Sequence, residues 1–415
     1  MKISLIESFC TEFVGFVRVT AEDGSIGWGQ LSTYNADITQ KVLHRQVAPW
    51  VLGRDVSTAA LLDDLLDLVT EKEHKFPGSY LRRAMAGFDT AIWDWYGRQQ
   101  GKPVAALLGG SAGQVRAYAS SMKRDITAQD EAARMCDLRD RYGFDAFKVR
   151  AGAEVGRNQD EWPGRTEMMI RTMRQQMGES AALLIDANSC YAPERAIEVG
   201  QMLQDHGFCH FEEPCPYWEL ELTKQVTETL DIDVTGGEQD CDLPTWRRMI
   251  EMRAVDILQP DILYLGGISR TLRVVNMAAS AGLPVTPHCA NLSMVTLFTM
   301  HLLRAIPNAG HYLEFSIEGP DYYPWQDQLF MNTPGSLAPG QYVQATGGGS
   351  LSIGEVSSIK GVAKATRIDG NIFTLSNGDP VFKGDVIETE GSGSVGLVFL
   401  DKTTMSLSDG GKMVL

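Results

Sequence analysis

The 415-residue sequence contains no run of about 18 uncharged apolar residues, which is the length that a membrane-spanning helix requires. Its first residues, MKISLIESFCTEF, reach Glu7 before any long apolar stretch, and this is unlike a signal peptide. We therefore expect a cytoplasmic protein that does not enter a membrane.

Cysteine is scarce: the sequence has seven, an odd number, and none of them form a CxxC pair. This argues against a disulfide framework and against a zinc site. Positive charge is also in deficit, with a formal net charge of −16. Such acidity disfavours binding to a phosphate backbone, so we expect no nucleic-acid partner. An anionic substrate would then need a metal ion or local cations.

The order of sequence patterns predicts four segments. Residues 1–112 combine a hairpin with three stretches of helical apolar spacing, which indicates a small α+β domain. From 113 to 330, eight β-rich runs alternate with amphipathic segments of helix length, as in a (β/α)₈ TIM-type barrel. Residues 331–360 are rich in Gly, Ser, Thr and Pro and indicate a linker, and 361–415 indicate a small all-β module. The predicted fold class is α/β: a barrel with an N-terminal α+β capping domain and a C-terminal all-β extension.

Polar residues stand at the ends of the predicted barrel strands. Because the carboxyl ends of barrel strands converge on one mouth, we expect these side chains to face a common volume. They are Lys148, Arg150, Asp186, Glu212, Glu238, Asp261, His288 and Glu314.

Three of the acids, Asp186, Glu212 and Glu238, follow one another at equal intervals of 26 residues. Carboxylates without an intervening Cys or His ligand suit an octahedral Mg²⁺ that keeps positions open for substrate oxygens. Any one of these acids alone is more often a solvated strand end or a helix N-cap. The three in register favour the metal site.

The basic residues at the strand ends suggest further roles. Lys148 and Arg150 lie two apart on one strand, so their side chains share a face and could bind a carboxylate. Arg150 could equally be a salt-bridge partner of the neighbouring acids. Asp261 and His288 end consecutive strands, where the carboxylate could orient the imidazole as a general base.

These residues, with the AIWDWYGRQQGKPVAALLGG run and the KxR, DAN, EEP, GGE and PH motifs, resemble the enolase superfamily, specifically the mandelate racemase-like group of the mandelate racemase/muconate lactonizing enzymes. The resemblance covers about residues 1–330. It implies a Mg²⁺-stabilised enediolate with a Lys or His base. The implied roles are Mg²⁺ binding by Asp186, Glu212 and Glu238, a general base formed by His288 with Asp261, and substrate carboxylate contacts by Lys148 and Glu314.

One departure from the family pattern favours a particular reaction. Racemases of this group usually have a second lysine base where this chain has Arg150, and a guanidinium stays protonated. We therefore expect a dehydratase of a sugar acid, in which His288 removes the proton α to the carboxylate and a β-hydroxyl leaves.

Other functions stay open. A racemase or epimerase with Lys148 as the second base is the first alternative, and a non-catalytic binding or scaffold protein is another. Lactonising chemistry is disfavoured, because His288 and Asp261 stand where that branch has other groups.

The second departure is the C-terminus, where the family's PGxG segment has no good match and the tail from about Gly361 instead resembles FecR-like β-modules. The family's capping domain carries specificity loops, which makes Phe13 and Tyr34 candidate substrate contacts, although Tyr34 could equally be core packing. Further candidate contacts are Arg150, Asn188 and His210. We expect a small-molecule carboxylate as the substrate and a homo-oligomeric assembly.

Overall fold

The computed structural model describes residues 1–153, 155–326, 352–367, 371–382, 384–399, 404–408 and 410–415. The chain divides into two compact units, Met1–Ala345 and Thr346–Leu415. Among the described residues, no helix combines the length and apolar character needed to cross a bilayer.

The first unit begins with an antiparallel three-stranded sheet and a set of helices. The strands, in the order β1-β2-β3, are β1 Ile3–Cys10, β2 Gly15–Ala21 and β3 Ile26–Leu31. The predicted hairpin is confirmed as β2 and β3, whereas β1 was not predicted. The helices are α1 Ala36–Val42, a π-helical turn Leu43–Val47, α2 Ala48–Val51, α3 Ala59–Lys72, α4 Ser79–Gln100 and α5 Val104–Leu107.

Helix α4 packs closely on β3 because glycines remove side chains from the contact. A Cβ on Gly27 would lie 2.1 Å from the carbonyl oxygen of Ala91, and one on Gly29 would lie 2.3 Å from that of Gly87. Any larger residue at either glycine would push the helix off the sheet. This close packing fixes the position of Arg83, which α4 carries toward the barrel.

A parallel sheet forms the barrel, and the predicted TIM-type fold class is confirmed. Its strands, in the order β10-β4-β5-β6-β7-β8-β9, are β4 Ala117–Ser120, β5 Ala146–Arg150, β6 Ala182–Asp186, β7 His210–Glu212, β8 Asp233–Gly236, β9 Ile257–Leu258 and β10 Leu313–Ser316. Helices between the strands are α6 Ala128–Tyr142, α7 Arg165–Met177, α8 Pro193–Asp205, α9 Leu220–Thr227, α10 Leu243–Met252, α11 Ile262–Leu265, α12 Ile268–Ser280 and α13 Met294–Leu303.

The predicted strand LPVTPH is reduced to a single bridging residue. Val285 makes parallel bridges to Leu258 and to Ala309, and its backbone N–H donates to the carbonyl of Asn308 at 2.8 Å. Pro284 and Pro287 flank it, and proline lacks the N–H that a longer ladder would need. The bridges nevertheless connect β9 with the segment that leads into β10, so the ring of strands continues through this point.

The second unit is an all-β module. Its strands are β11 Ser352–Thr366, β12 Ile372–Thr374, β13 Pro380–Phe382, β14 Val386–Phe399, β15 Thr404–Ser408 and β16 Lys412–Val414. β11 and β14 pair antiparallel, and buried residues such as Val356 and Ile387 form a core of its own. The predicted linker covers 331–360, and its residues 331–351 lie outside the described part of the chain. The module begins with Ser352, earlier than the predicted start at 361. Its likeness to FecR-like modules stays a prediction.

Candidate active site

The register of the parallel strands brings the predicted site residues together. Arg150 at the end of β5 is opposite Asp186 at the end of β6, and Asp186 is opposite Glu212 at the end of β7. Glu238 follows the end of β8, the next strand in the sheet. All four side chains are buried. The carboxyl ends of neighbouring strands therefore gather charged groups in a space with little water.

Lys148 lies at the centre of this group and is completely buried. Its Nζ is 2.7 Å from an oxygen of Glu212, 2.7 Å from an oxygen of Glu314 and 3.8 Å from an oxygen of Asp186. Burial alone would lower the pKa of Lys148, but Glu212 and Glu314 outweigh it and raise that pKa above its ordinary value. Lys148 is thus a fixed ammonium group and a poor base.

Arg150 is held on several sides. Its guanidinium pairs with Asp186 and donates to the Asn188 Oδ1 at 2.8 Å and to the Ser121 carbonyl at 2.8 Å. The salt-bridge role that the sequence left open for Arg150 is the one present here. Asn188 in turn donates its backbone N–H to Asp186 at 2.7 Å, so it belongs to the same network.

His288 and Asp261 form the pair expected of an oriented base. The His288 Nδ1 is 2.8 Å from the Asp261 Oδ2, and the other Asp261 oxygen accepts the backbone N–H groups of Leu263 and Tyr264 at the start of α11. The other nitrogen, Nε2, lies 3.2 Å from an oxygen of Glu238. Burial would lower the pKa of His288, but Glu238, Asp261 and Glu314 raise it to about 10.

Glu314 and His210, two further predicted residues, lie beside these groups. Glu314 accepts from the Ser120 hydroxyl at 2.8 Å and from the Cys289 backbone N–H at 2.9 Å. Burial would raise its pKa, yet Lys148 and His288 lower the pKa of Glu314 to about 2. His210 Nε2 lies 2.8 Å from the Thr235 hydroxyl and 3.6 Å from Glu212.

The predicted metal ligands are not gathered around one point. Among the described residues, no three His, Cys, Asp or Glu side chains are arranged to hold a metal ion. Each predicted ligand instead faces a protein cation: Asp186 faces Arg150, Glu212 faces Lys148 and Glu238 faces His288. Joint binding of one ion requires these side chains to turn toward one another.

The charge of the site nevertheless fits a divalent cation. Six buried carboxylates stand against three buried cations, namely Asp186, Glu212, Glu213, Glu238, Asp261 and Glu314 against Lys148, Arg150 and His288. The Glu212 Oε1 is buried and lacks a hydrogen-bond partner in the described part of the chain. Burial and the neighbouring Glu238 and Glu212 raise the pKa of Glu213 well above its ordinary value. An oxygen-rich site in which one carboxylate oxygen has no partner among the described residues suits Mg²⁺.

Phe13 and Tyr34 meet in an aromatic cluster. The Phe13 ring stacks on Trp325 with centroids 6.0 Å apart, and Tyr34 meets Trp325 edge-on at 5.4 Å. Trp325 follows β10, so the cluster joins the N-terminal domain to the end of the barrel. Tyr34 keeps 45% of its surface exposed, which leaves both packing and ligand contact open to it.

Sequence reasoning missed several residues at the site. The Arg83 guanidinium of α4 lies 3.6 Å from the Tyr264 ring, and that ring is 5.7 Å from the His288 ring. The sequence gives a weak indication of Tyr264, which stands three residues after Asp261. Nothing near Arg83 in the sequence indicates a role for that residue. Glu213 had a signal in the FEEP motif and has a φ of 40°, in the left-handed region.

Two long segments of the chain match known protein families. Residues 2–109 match the mandelate racemase/muconate lactonizing enzyme N-terminal domain, and residues 130–346 match the enolase C-terminal domain-like family. The chain belongs to the mandelate racemase/muconate lactonizing enzyme family of the enolase superfamily. The resemblance inferred from the strand-end motifs is confirmed.

Relatives in this family carry different activities. An arabinonate dehydratase from Saccharolobus solfataricus is 30% identical, over 70% of this chain and 76% of the relative. A D-galactarolactone cycloisomerase from Agrobacterium fabrum is 31% identical, over 66% of this chain and 70% of the relative. The crystal structure of a candidate racemase from Roseobacter denitrificans has 75% identity and a TM-score of 0.81, over 83% of this chain and 93% of that chain. Family membership therefore does not by itself select the reaction.

Proposed function

We propose that this protein is a Mg²⁺-dependent sugar-acid dehydratase. It would remove the proton α to the substrate carboxylate and expel the β-hydroxyl, giving a 2-keto-3-deoxy acid. The arabinonate dehydratase among its relatives supports the substrate class and the reaction type.

The observation that carries this proposal is the presence of one suitable base. His288 is oriented by Asp261 through Nδ1, and its Nε2, which faces Glu238 at 3.2 Å, becomes available to a substrate when Glu238 turns toward the ion. Lys148, by contrast, is clamped between Glu212 and Glu314, and Arg150 is paired with Asp186. A racemase needs a base on each face of the α-carbon, whereas elimination of water needs only one.

Asp186, Glu212 and Glu238 are the residues that would hold Mg²⁺. When bound, the ion supplies positive charge that acidifies the proton α to the substrate carboxylate. Lys148 contributes a second, fixed positive charge to the same carboxylate. A positive charge that is in place before the reaction stabilises the enediolate without reorganisation.

His288 transfers the proton. Glu238 and Glu314 keep the imidazole protonated in the present arrangement, and turning Glu238 away leaves Asp261 as its main partner. Once the imidazolium has released its Nε2 proton to water, the neutral Nε2 accepts the α-proton, and the electron pair of the C–H bond moves into the substrate carboxylate. The imidazolium returns this proton to the β-hydroxyl, which leaves as water, and the resulting enol converts to the 2-keto acid.

The proposal predicts that sugar acids give 2-keto-3-deoxy products only with Mg²⁺. A library of aldonates and aldarates is incubated with the protein, and the keto acids are measured as semicarbazones before and after chelation. Glu238→Gln should lower kcat/KM by at least about 10- to 100-fold, since even residues behind a ligand have effects of this size. Glu251→Gln, the same change on the exposed side of α10, is the control. Full turnover in excess chelator would contradict the metal assignment.

A racemase is the second candidate, because the 75%-identical structure is described as a candidate racemase. The two reactions differ in D₂O. A dehydratase with His288 as its base exchanges the α-proton of one configuration, and a racemase exchanges the α-protons of both. Exchange from both configurations would make Lys148 the second base and replace the proposed reaction.

A further inference from the structure

Arg124 makes no ion pair with a carboxylate in the described part of the chain, and Glu161 acts on its charge only at longer range. Arg124 follows β4 and lies at the carboxyl end of the sheet, beside the strand that carries Lys148 and Arg150. Its side chain is half-buried. The Nη2 donates to the Asn188 Oδ1 at 2.6 Å and the Nε donates to the Ala151 carbonyl at 3.3 Å. The remaining N–H groups of the guanidinium have no protein acceptor among the described residues.

A second guanidinium meets Arg124 at the same amide. Arg150 also donates to the Asn188 Oδ1, at 2.8 Å, but its charge is matched by Asp186. Burial, with Arg150 and Arg165 nearby, lowers the pKa of Arg124 to about 10, as expected for a crowded cation. Of the two guanidiniums that meet at Asn188, Arg124 is therefore the one without a carboxylate at ion-pair distance among the described residues.

Arg165 holds the backbone around Arg150 and Arg124. Arg165, which is buried, donates to the carbonyl of Arg150 at 2.8 Å and to the carbonyl of Lys123 at 3.3 Å. It thus holds the backbone on which Arg150 sits and the residue that precedes Arg124. A guanidinium that is held in place and keeps unused N–H groups is suited to bind an anionic ligand.

We propose that Arg124, oriented by the Asn188 Oδ1, forms a second anion subsite, which binds the far carboxylate of a sugar diacid. This inference rests on the proposed function, because the reacting carboxylate of the same molecule occupies the site of Lys148. A guanidinium fork matches a carboxylate with two parallel N–H to O bonds. The substrate class is therefore aldarates, with a carboxylate at each end, and aldonates, which end in a hydroxymethyl group, are poorer substrates.

The test compares acids that differ only at the far end. Keto-acid formation with Mg²⁺ is measured for two pairs of a diacid and its monoacid, galactarate with galactonate and glucarate with gluconate. It is also measured for 6-phosphogluconate. The wild type should prefer one diacid over its monoacid by about 10- to 100-fold in kcat/KM, the range of a charge-assisted hydrogen bond. Arg124→Gln should remove this preference by lowering the diacid value and leaving the monoacid value within about threefold. Arg124→Lys should restore part of it.

Arg141→Gln is the matched control, since it removes one guanidinium from the exposed face of α6. An equal loss for diacid and monoacid in Arg124→Gln, or a wild type without diacid preference, would overturn the subsite. Preference for 6-phosphogluconate that depends on Arg124 would overturn the carboxylate assignment in favour of a phosphate.

Calorimetric binding of galactarate and galactonate with Mg²⁺ separates this inference from the proposed function. If no acid is dehydrated but diacid binding weakens in Arg124→Gln, the proposed reaction fails and the subsite stands. If monoacids are dehydrated and diacid binding is absent or unchanged in the variant, the reaction stands and the subsite fails.

Discussion

At the scale of single residues, the site combines cations that cannot act as bases with one histidine that can. Lys148 and Arg150 are buried and paired with carboxylates, so they hold positive charge in place. His288 is also paired on both nitrogens, but Glu238, which faces its Nε2, is one of the residues that would turn toward Mg²⁺ and so release that nitrogen. An imidazole released in this way can accept a proton, whereas the guanidinium of Arg150 cannot.

The role of His288 can be tested by replacing it with asparagine. His288→Asn should lower kcat by about 10²- to 10⁴-fold, because an amide keeps some hydrogen bonding but cannot accept a proton. Exchange of the α-proton in D₂O should disappear together with dehydration. His74→Asn, a change at an exposed histidine of the N-terminal domain, should leave both rates unchanged. Exchange at the wild-type rate in His288→Asn would make Lys148 the first alternative base.

At the scale of elements, helix α4 links the N-terminal domain to the catalytic base. Arg83 on α4 donates to the Ser32 hydroxyl and lies on the face of Tyr264. The Tyr264 backbone N–H in turn donates to Asp261 at 3.0 Å. The loop after β3 and the His288–Asp261 pair are therefore connected through one guanidinium.

Arg83→Met should remove this connection while keeping the apolar part of the side chain. We expect kcat/KM to fall about 2- to 30-fold, the equivalent of a cation–π contact of about 0.5–2 kcal/mol. Arg83→Lys keeps a cation and should restore part of the loss. A lower melting temperature with unchanged kcat and KM would instead mean that Arg83 serves stability alone.

Asp89, also on α4, should make stability depend on pH. It is buried against the start of α12, where it accepts the Ser269 backbone N–H at 3.3 Å. Burial raises the pKa of Asp89 from 3.8 to about 7, although Ser269 opposes this. Between these values the folded state binds the proton and the unfolded state does not, so the free energy of unfolding falls as the pH rises.

The decrease in the free energy of unfolding should reach at most about 4 kcal/mol, from about 1.4 kcal/mol for each unit of pKa shift. Urea unfolding between pH 4 and pH 8 measures it. Asp89→Asn, which has no titrating group at this position, should flatten the dependence. An identical pH profile in wild type and variant would show that Asp89 ionises normally.

At the scale of the whole molecule, chemistry and the C-terminal module belong to different units. Every proposed catalytic residue lies within Met1–Ala345, and Thr346–Leu415 has a hydrophobic core of its own around Val356 and Ile387. Each unit therefore buries the apolar surface that an independent fold requires.

A chain ending at Ala345 should remain folded and keep kcat and KM within about twofold of the full-length values, as expected for units that share no catalytic residue. Circular dichroism and the keto-acid assay measure this. The isolated segment 346–415 should show a β-sheet spectrum. Insoluble protein or lost activity after truncation would mean that the module completes the catalytic unit.

Much of this architecture can be predicted from the sequence, because the rules involved are local. Strand and helix patterns identify the barrel, and parallel strands carry their final residues to one mouth whatever the loops do. The grouping of Asp186, Glu212 and His288 therefore needed only strand ends to be recognised. Even the reduction of the seventh strand to Val285 is explained by Pro284 and Pro287, which stand beside it in the sequence.

The pairing of charges was decided by the tertiary structure. Strand register and side-chain directions in the crowded mouth decide which carboxylate faces Lys148. They also decide that Arg150 pairs with Asp186. Arg83 and Tyr264 meet because α4 packs on glycines of β3, far from Tyr264 in sequence. Local patterns specify which residues reach a strand end, whereas contacts between distant segments depend on how whole elements pack, and this packing is not written in any one segment.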